Sequence, residues 1–304
     1  MITRVASITL EVPDLRASLE FFESKVGLTL TEQIGPGAYM RATANHHDLV
    51  LIQSDQGRCG LRTLNLEVGE GGLDADVARA VAAGAADLGA VDQPGVDRAH
   101  LLEMPGGFGV LLYAGLRQVG APPALPLPRP ARFSHFNIGV PDPATALDFF
   151  STAFGMRPSD WIGDPGDPLI GWLHCPVPGA LHHGVAILKS ADVKLHHISY
   201  EYASIEQVAA RVDHYVDATH YLVWGMGRHG TGGSVFAYIE DPSGLMVELG
   251  TGMIRIGQDP RWTGPEVWAL DDQRGIDEWG SAIPERWMAK QVEVLRPAAV
   301  GANR

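Results

Sequence analysis

The sequence predicts an α+β protein of two tandem domains, each made of two βαβββ units that form an open, curved, barrel-like sheet. Three observations predict it. The first is an internal repeat: Ile8-Thr9-Leu10-Glu11-Val12-Pro13-Asp14-Leu15-Arg16-Ala17-Ser18-Leu19-Glu20-Phe21-Phe22 aligns without a gap to Phe136-Asn137-Ile138-Gly139-Val140-Pro141-Asp142-Pro143-Ala144-Thr145-Ala146-Leu147-Asp148-Phe149-Phe150. The second is that the order strand, helix, several short strands recurs, or nearly so, inside each copy. The third is size and composition. A chain of 304 residues, 45% hydrophobic and 19% charged, can bury two ordinary cores and has no disordered or fibrous character.

Each copy opens with an alternating strand, Val5 to Val12 and Phe133 to Val140, which turns at Pro-Asp into an amphipathic helix. Asp14 and Asp142 suit the N-caps of those helices, and Gly27 and Gly155 their C-terminal ends. Short β-like runs follow, then an Ala- and Val-rich helix, Asp74 to Ala86 in one copy and Ser204 to Val216 in the other. The last hairpin of each copy turns at Pro105-Gly106-Gly107 or Pro242-Ser243-Gly244. Between the copies, Gly120-Ala121-Pro122-Pro123-Ala124-Leu125-Pro126-Leu127-Pro128-Arg129-Pro130 reads as a semi-rigid polyproline connector. Beyond Gly252, a segment without a counterpart holds Trp262, Trp268, Trp279 and Trp287, an aromatic density suited to packing back on a domain or roofing a site. The expected organisation is a first domain at 1–116, a linker at 117–131, a second domain at 132–252 and a Trp-rich extension at 253–304.

A formal charge of −13 without a Lys/Arg run argues against nucleic acid and anionic membranes as partners and favours small molecules. Met1 to Leu10 lacks the basic start and apolar core of a secretory signal, and no apolar run reaches membrane-spanning length, so a cytoplasmic protein is expected. Cys59 and Cys175 fall at unrelated positions of the two copies and read as free thiols.

The chemistry lies in what differs between the copies. His135 stands opposite Ser7. Matching Leu195-His196-His197-Ile198-Ser199-Tyr200-Glu201 to Leu61-Arg62-Thr63-Leu64-Asn65-Leu66-Glu67 sets His197 opposite Thr63. Matching Pro242 through Glu248 to Pro105 through Leu111 sets Glu248 opposite Leu111. Taken singly, a strand histidine is commonly a hydrogen-bonded core residue, and Glu248 could be half of a buried ion pair. Together, on separate strands of one copy and stripped from the other, two imidazoles and a carboxylate suit a divalent first-row metal with coordination positions left open.

With these residues the chain resembles the two-domain type I extradiol catechol dioxygenases, the group of 2,3-dihydroxybiphenyl 1,2-dioxygenase and catechol 2,3-dioxygenase, in the vicinal oxygen chelate superfamily. The likeness covers residues 1 to 270. It implies two tandem vicinal oxygen chelate domains, with His135, His197 and Glu248 holding Fe(II), or Mn(II), in the second. It further implies that His183 in His-His-Gly-Val-Ala is the acid-base histidine, His229 in Gly-Arg-His-Gly a substrate-contacting histidine, and Tyr238 in Phe-Ala-Tyr-Ile a hydrogen-bonding partner of a substrate oxygen. A catechol and O2 are then the reactants, in aromatic catabolism, and homo-oligomerisation is common in the group. The neighbouring His182 and His196 read as structural, as do His46 and His47 of the first copy. Asn137 stands where many relatives have an apolar residue, which suggests a ring with a polar substituent.

Two alternatives stand beside this reading. A glyoxalase-like isomerase needs a fourth ligand, for which Glu201 is available, although Glu67 matches it in the first copy. A non-enzymatic binding protein of the same superfamily leaves His135, His197 and Glu248 without a purpose.

Overall fold

The computed structural model describes residues 1–217 and 219–297; residues 298–304, the end of the expected extension, lie outside the described residues. Four βαβββ units follow one another. The first two are β1 (Ile2–Val12), α1 (Leu15–Phe21), β2 (Thr29–Ile34), β3 (Gly37–Arg41), β4 (Leu49–Gln53), then β5 (Gly60–Val68), α2 (Leu73–Ala82), β6 (Ala86–Val91), β7 (Val96–Glu103) and β8 (Gly109–Leu116). The second pair repeats them as β9 (Arg132–Val140), α3 (Pro143–Phe154), β10 (Arg157–Ile162), β11 (Ile170–His174), β12 (Val185–Lys189), then β13 (Lys194–Tyr202), α4 (Ile205–Tyr215), β14 (Trp224–Arg228), β15 (Val235–Glu240) and β16 (Met246–Thr251).

In each half the two units join through their first strands, β1 against β5 and β9 against β13, both antiparallel. Each first strand also pairs in parallel with the last strand of a meander: β1 with β4, β5 with β8, β9 with β12, and β13 with β16. The two central strands are thus buried by neighbours on either side, and register across them sets which side chains meet.

The local signals act as expected. The Asp14 carboxylate accepts the Ala17 amide at 3.0 Å, Asp142 accepts the Thr145 amide at 3.0 Å, and the Ser204 hydroxyl caps α4. Gly155 ends α3 in the left-handed region, at φ 69°. The Asp74–Ala86 helix is shorter than its composition predicts. Gly84, at φ 113°, stops it, and Ala86 already pairs with Glu103 in a strand. In α4, Val216 caps the helix that was expected to include it.

The proline-rich connector has neither helix nor strand over 120–130. Arg211 of α4, almost wholly buried, donates to the Pro128 and Ser24 carbonyls at 2.6 and 2.7 Å and so ties the second half to both the connector and the first half. That close approach explains Gly27, where a Cβ would lie 2.1 Å from the Arg211 guanidinium. The segment after Gly252 packs back on the body. Its strand β17 (Glu266–Trp268) extends the sheet at β10, helix α5 (Glu285–Ala289) follows, and β18 (Val292–Val294) pairs with both β13 and β5. Among the described residues no helix is long and apolar enough to cross a membrane, and both cysteines are free.

Candidate active site

Register brings the predicted residues together. Ser199 of β13 stands opposite His135 of β9 on one side and Glu248 of β16 on the other, so three strands meet at one level. His197 lies two residues away on β13, its side chain on the same face as Ser199. Tyr238 of β15 stands opposite Glu248.

The resulting geometry is tight. His135 Nε2 and His197 Nε2 are 3.2 Å apart, and each is 3.4 Å from Glu248 Oε2. All three side chains are buried, at 3%, 3% and 1% exposure, and their candidate ligand atoms lie within 4.8 Å of one another. Burial would push the Glu248 carboxyl up, but the adjacent His135 and His197 rings hold it well below the ordinary range, and it stays ionised. Burial lowers His197 to about 4 against the opposing pull of Glu248, so its ring is neutral.

The hydrogen bonds around the cluster leave it short of a partner. The Trp287 carbonyl only accepts, so His196 Nε2, 3.1 Å away, carries a proton. Burial lowers His196 well below its ordinary value, and the ring is neutral with a bare Nδ1. The 2.7 Å contact from that Nδ1 to His197 Nδ1 therefore carries the His197 proton, which leaves His197 Nε2 as a lone pair facing Glu248. Glu248 Oε1 has no partner at all. A buried carboxylate beside a bare imidazole nitrogen is costly unless a cation sits among them, and two imidazoles with one carboxylate suit a divalent first-row ion.

The cluster forms one wall of a small cavity, about 30 Å³, that also includes His183, His229 and Tyr238, so all six residues picked from the sequence meet there. The His183 ring centroid is 4.4 Å from that of His135, and burial lowers its pKa well below the ordinary histidine value. His229 donates from Nδ1 to the Ile276 carbonyl at 2.5 Å, leaving Nε2 3.3 Å from the Tyr238 hydroxyl. Burial lowers His229 and raises Tyr238 well above its usual range, so both are neutral near pH 7. Asn137 also lines the cavity, buried, with its Oδ1 unpartnered.

Sequence reasoning missed the remaining wall: Ile170, Trp172, Ala186, Thr231 and Ile276. Only Trp287 had a signal, the aromatic density of the final segment; it is 8% exposed and roofs the cavity, whereas Trp279 is 54% exposed beneath the Arg228 guanidinium. Glu201, the candidate fourth ligand, is elsewhere. It pairs with Arg132 at 3.0 Å and Arg255 at 3.6 Å, and among the described residues the metal cluster has three members.

Residues 132–249 match the Glyoxalase/Bleomycin resistance protein/Dioxygenase superfamily. That match lies within the second half, whose paired βαβββ units have the vicinal oxygen chelate fold. The chain is 31% identical over 156 residues to metapyrocatechase 2 of Cupriavidus necator, a match spanning 51% of this chain but only 46% of that protein. It is 23% identical to metapyrocatechase of Geobacillus stearothermophilus over 98% of this chain and 96% of that protein. It is 25% identical to the manganese-dependent 2,3-dihydroxybiphenyl 1,2-dioxygenase of Geobacillus genomosp. 3, over 92% and 94%. Homoprotocatechuate 2,3-dioxygenase from Arthrobacter globiformis shares the fold across 97% of this chain and 93% of that one, with a TM-score of 0.85 at 23% identity. So does the Mn(II)-bound glyoxalase from Novosphingobium aromaticivorans, over 94% and 93%, with a TM-score of 0.83 at 22% identity.

Proposed function

We propose that this protein is an extradiol ring-cleavage dioxygenase that inserts both atoms of O2 into a catechol-type diol, giving a hydroxymuconic semialdehyde-type product. His135, His197 and Glu248 hold Fe(II), or Mn(II), in a catalytic domain at 132–252. Residues 1–116 are its metal-free companion, and 253–304 the extension, from which Ile276 and Trp287 line the site. The observation that carries this reading is the convergence of three buried ligand-type side chains, a bare His197 Nε2 among them, on one point of a cavity that also presents His183, His229 and Tyr238. The metapyrocatechase and dihydroxybiphenyl dioxygenase relatives support the reaction class.

When bound, the ion supplies a Lewis-acidic charge that favours a deprotonated diol and an electronic path from it to O2. The chain supplies the rest. His183, held neutral by burial, has its Nδ1 engaged by His182 at 3.0 Å, which leaves Nε2 to take a diol proton and return it as the ring opens. The Tyr238 hydroxyl and His229 Nε2 orient a diol oxygen between them. Trp172, Ile276 and Trp287 exclude water from the ring. Among the described residues no lysine or arginine lines the cavity, which favours a ring without a carboxylate, and Asn137 Oδ1 accepts a hydrogen bond from a polar ring substituent.

The test mixes anaerobically purified, Fe(II)- or Mn(II)-loaded protein with neutral monocyclic, biaryl and carboxylated catechols in air. A yellow ring-opened product, formed faster from neutral rings, is expected. Methylglyoxal–glutathione turnover without ring cleavage would make it an isomerase, and tight binding without turnover a sequestering protein. Against the isomerase stands Glu201, committed to two arginines.

A further inference from the structure

His182, set aside by the sequence as structural, links the cavity to the sheet edge. Its Nδ1 is 3.0 Å from His183 Nδ1, and its Nε2 is 3.1 Å from Asp160 Oδ2. The other Asp160 oxygen accepts the Glu266 amide of β17 at 2.8 Å. Asp160, His182 and His183 are 4%, 0% and 3% exposed, so no water competes for these contacts.

An ionised carboxylate only accepts, which puts a proton on His182 Nε2. The two rings meet Nδ1 to Nδ1, so one nitrogen donates to the other; with the His182 proton turned to Asp160, His182 Nδ1 accepts and His183 Nδ1 donates. We propose that Asp160 and His182 are positioning residues for His183, holding it in the Nδ1–H tautomer so that a bare Nε2 faces the cavity. The inference rests on the ring-cleavage reading for its purpose, since a base needs an acceptor nitrogen toward the diol. It rests on the hydrogen-bond chain for its geometry.

The first half contains the same device. Glu32 Oε1 is 2.6 Å from His46 Nε2, His46 Nδ1 is 2.9 Å from His47 Nδ1, and His47 Nε2 has no partner. A carboxylate, one ring and a second ring thus recur in the same order, and only in the second half does the chain end at a metal cluster. Glutamate in place of aspartate serves the first copy.

Asp160→Asn tests the chain with the least change of shape. The Glu266 amide keeps the carboxamide oxygen on its side, so the NH2 group turns to His182 and reverses each bond in the chain, ending with a proton on His183 Nε2. Nitrogen-15 NMR of the histidines in full-length protein loaded with diamagnetic Zn(II) reads the tautomers directly, and steady-state kinetics of the Fe(II) form reads the consequence. The parent is expected to show His183 as Nδ1–H and Asp160→Asn as Nε2–H. The kcat of Asp160→Asn should fall by about 10–100-fold, the range for losing an outer-shell partner, with metal content near the parent's, while Asp160→Glu restores both tautomer and kcat. An Nε2–H His183 or a doubly protonated His182 in the parent overturns the proposal. So does an Asp160→Asn variant with unchanged tautomer and kcat, or an equal loss in Asp160→Asn and Asp160→Glu. If the tautomers behave as stated and no catechol is cleaved by the parent, the tautomer assignment stands and the ring-cleavage reading fails.

Discussion

The two halves put one strand frame to opposite uses. In β1, β5 and β8, Ser7, Asn65 and Leu111 stand level; in β9, β13 and β16, the same places hold His135, Ser199 and Glu248. Thr63 faces Thr9 where His197 faces Asn137. In the first half Asn65 Nδ2 donates to the Ser7 and Thr9 hydroxyls, each at 3.0 Å, and Asn65 Oδ1 accepts from Thr63 at 2.7 Å. This network is neutral and closed, and needs no cation. In the second half the Glu248 carboxylate and a bare His197 Nε2 face each other without a proton between them, and the cluster calls for a cation. Under the proposed assignment, metal binding depends on a few side chains laid on a repeated strand frame, and the first half replaces them with a hydrogen-bonded network.

The largest difference between the halves is expected at Glu248. Glu248→Gln removes the charge that Leu111 never had, and bound metal and ring cleavage should both be lost, by more than the ~100-fold of an outer-shell partner. Stoichiometric metal in the purified variant would falsify the ligand assignment. Next come the matched histidines. His183→Phe should keep its metal while turnover falls by roughly 10²–10⁴, the range for a lost acid-base group; His47→Phe should leave turnover near the parent's. A variant of His183 that loses metal instead would mean that base and ligand have been confused.

Acid sharpens the contrast in stability. Burial, with His46 and Arg4 adding to it, lowers His47 to about 3; burial, then His182 and Arg157, lowers His174 to about 4. An unfolded imidazole titrates near ~6.5, so between that value and these the unfolded chain binds more protons than the folded one. Stability is therefore retained above pH ~6.5 and falls as pH drops toward 4. Thermal melts of metal-free protein should show a falling midpoint across that window, and His47→Phe should flatten part of it; an unchanged slope in that variant would remove His47 from the account. The smallest effect is expected from Asn65→Leu, which leaves buried hydroxyls without their partner at a cost of about 1–3 kcal/mol and leaves metal content unaltered. Loss of metal there would mean that the halves are coupled rather than independent.

The repeat, the Pro-Asp caps and the paired glycines were readable along the chain because they are local: a cap acts within three residues and a strand alternates every second one. His135, His197 and Glu248 were readable for a different reason. Two copies of one pattern in a single chain made three substitutions visible against a built-in reference. The length of α2 was misread because Ala-rich composition favours helix up to Gly84 and says nothing of the strand partner waiting for Ala86.

Composition, periodicity and duplication were enough to specify four βαβββ units and to name the residues that differ between their copies. The wall of Trp172, Ile276 and Trp287, the commitment of Glu201 to Arg132 and Arg255, and the chain from Asp160 through His182 to His183 depend on contacts between segments far apart in sequence. No local propensity encodes such contacts. Strand register and the return of the final segment create them, because they alone determine which buried donor meets which acceptor.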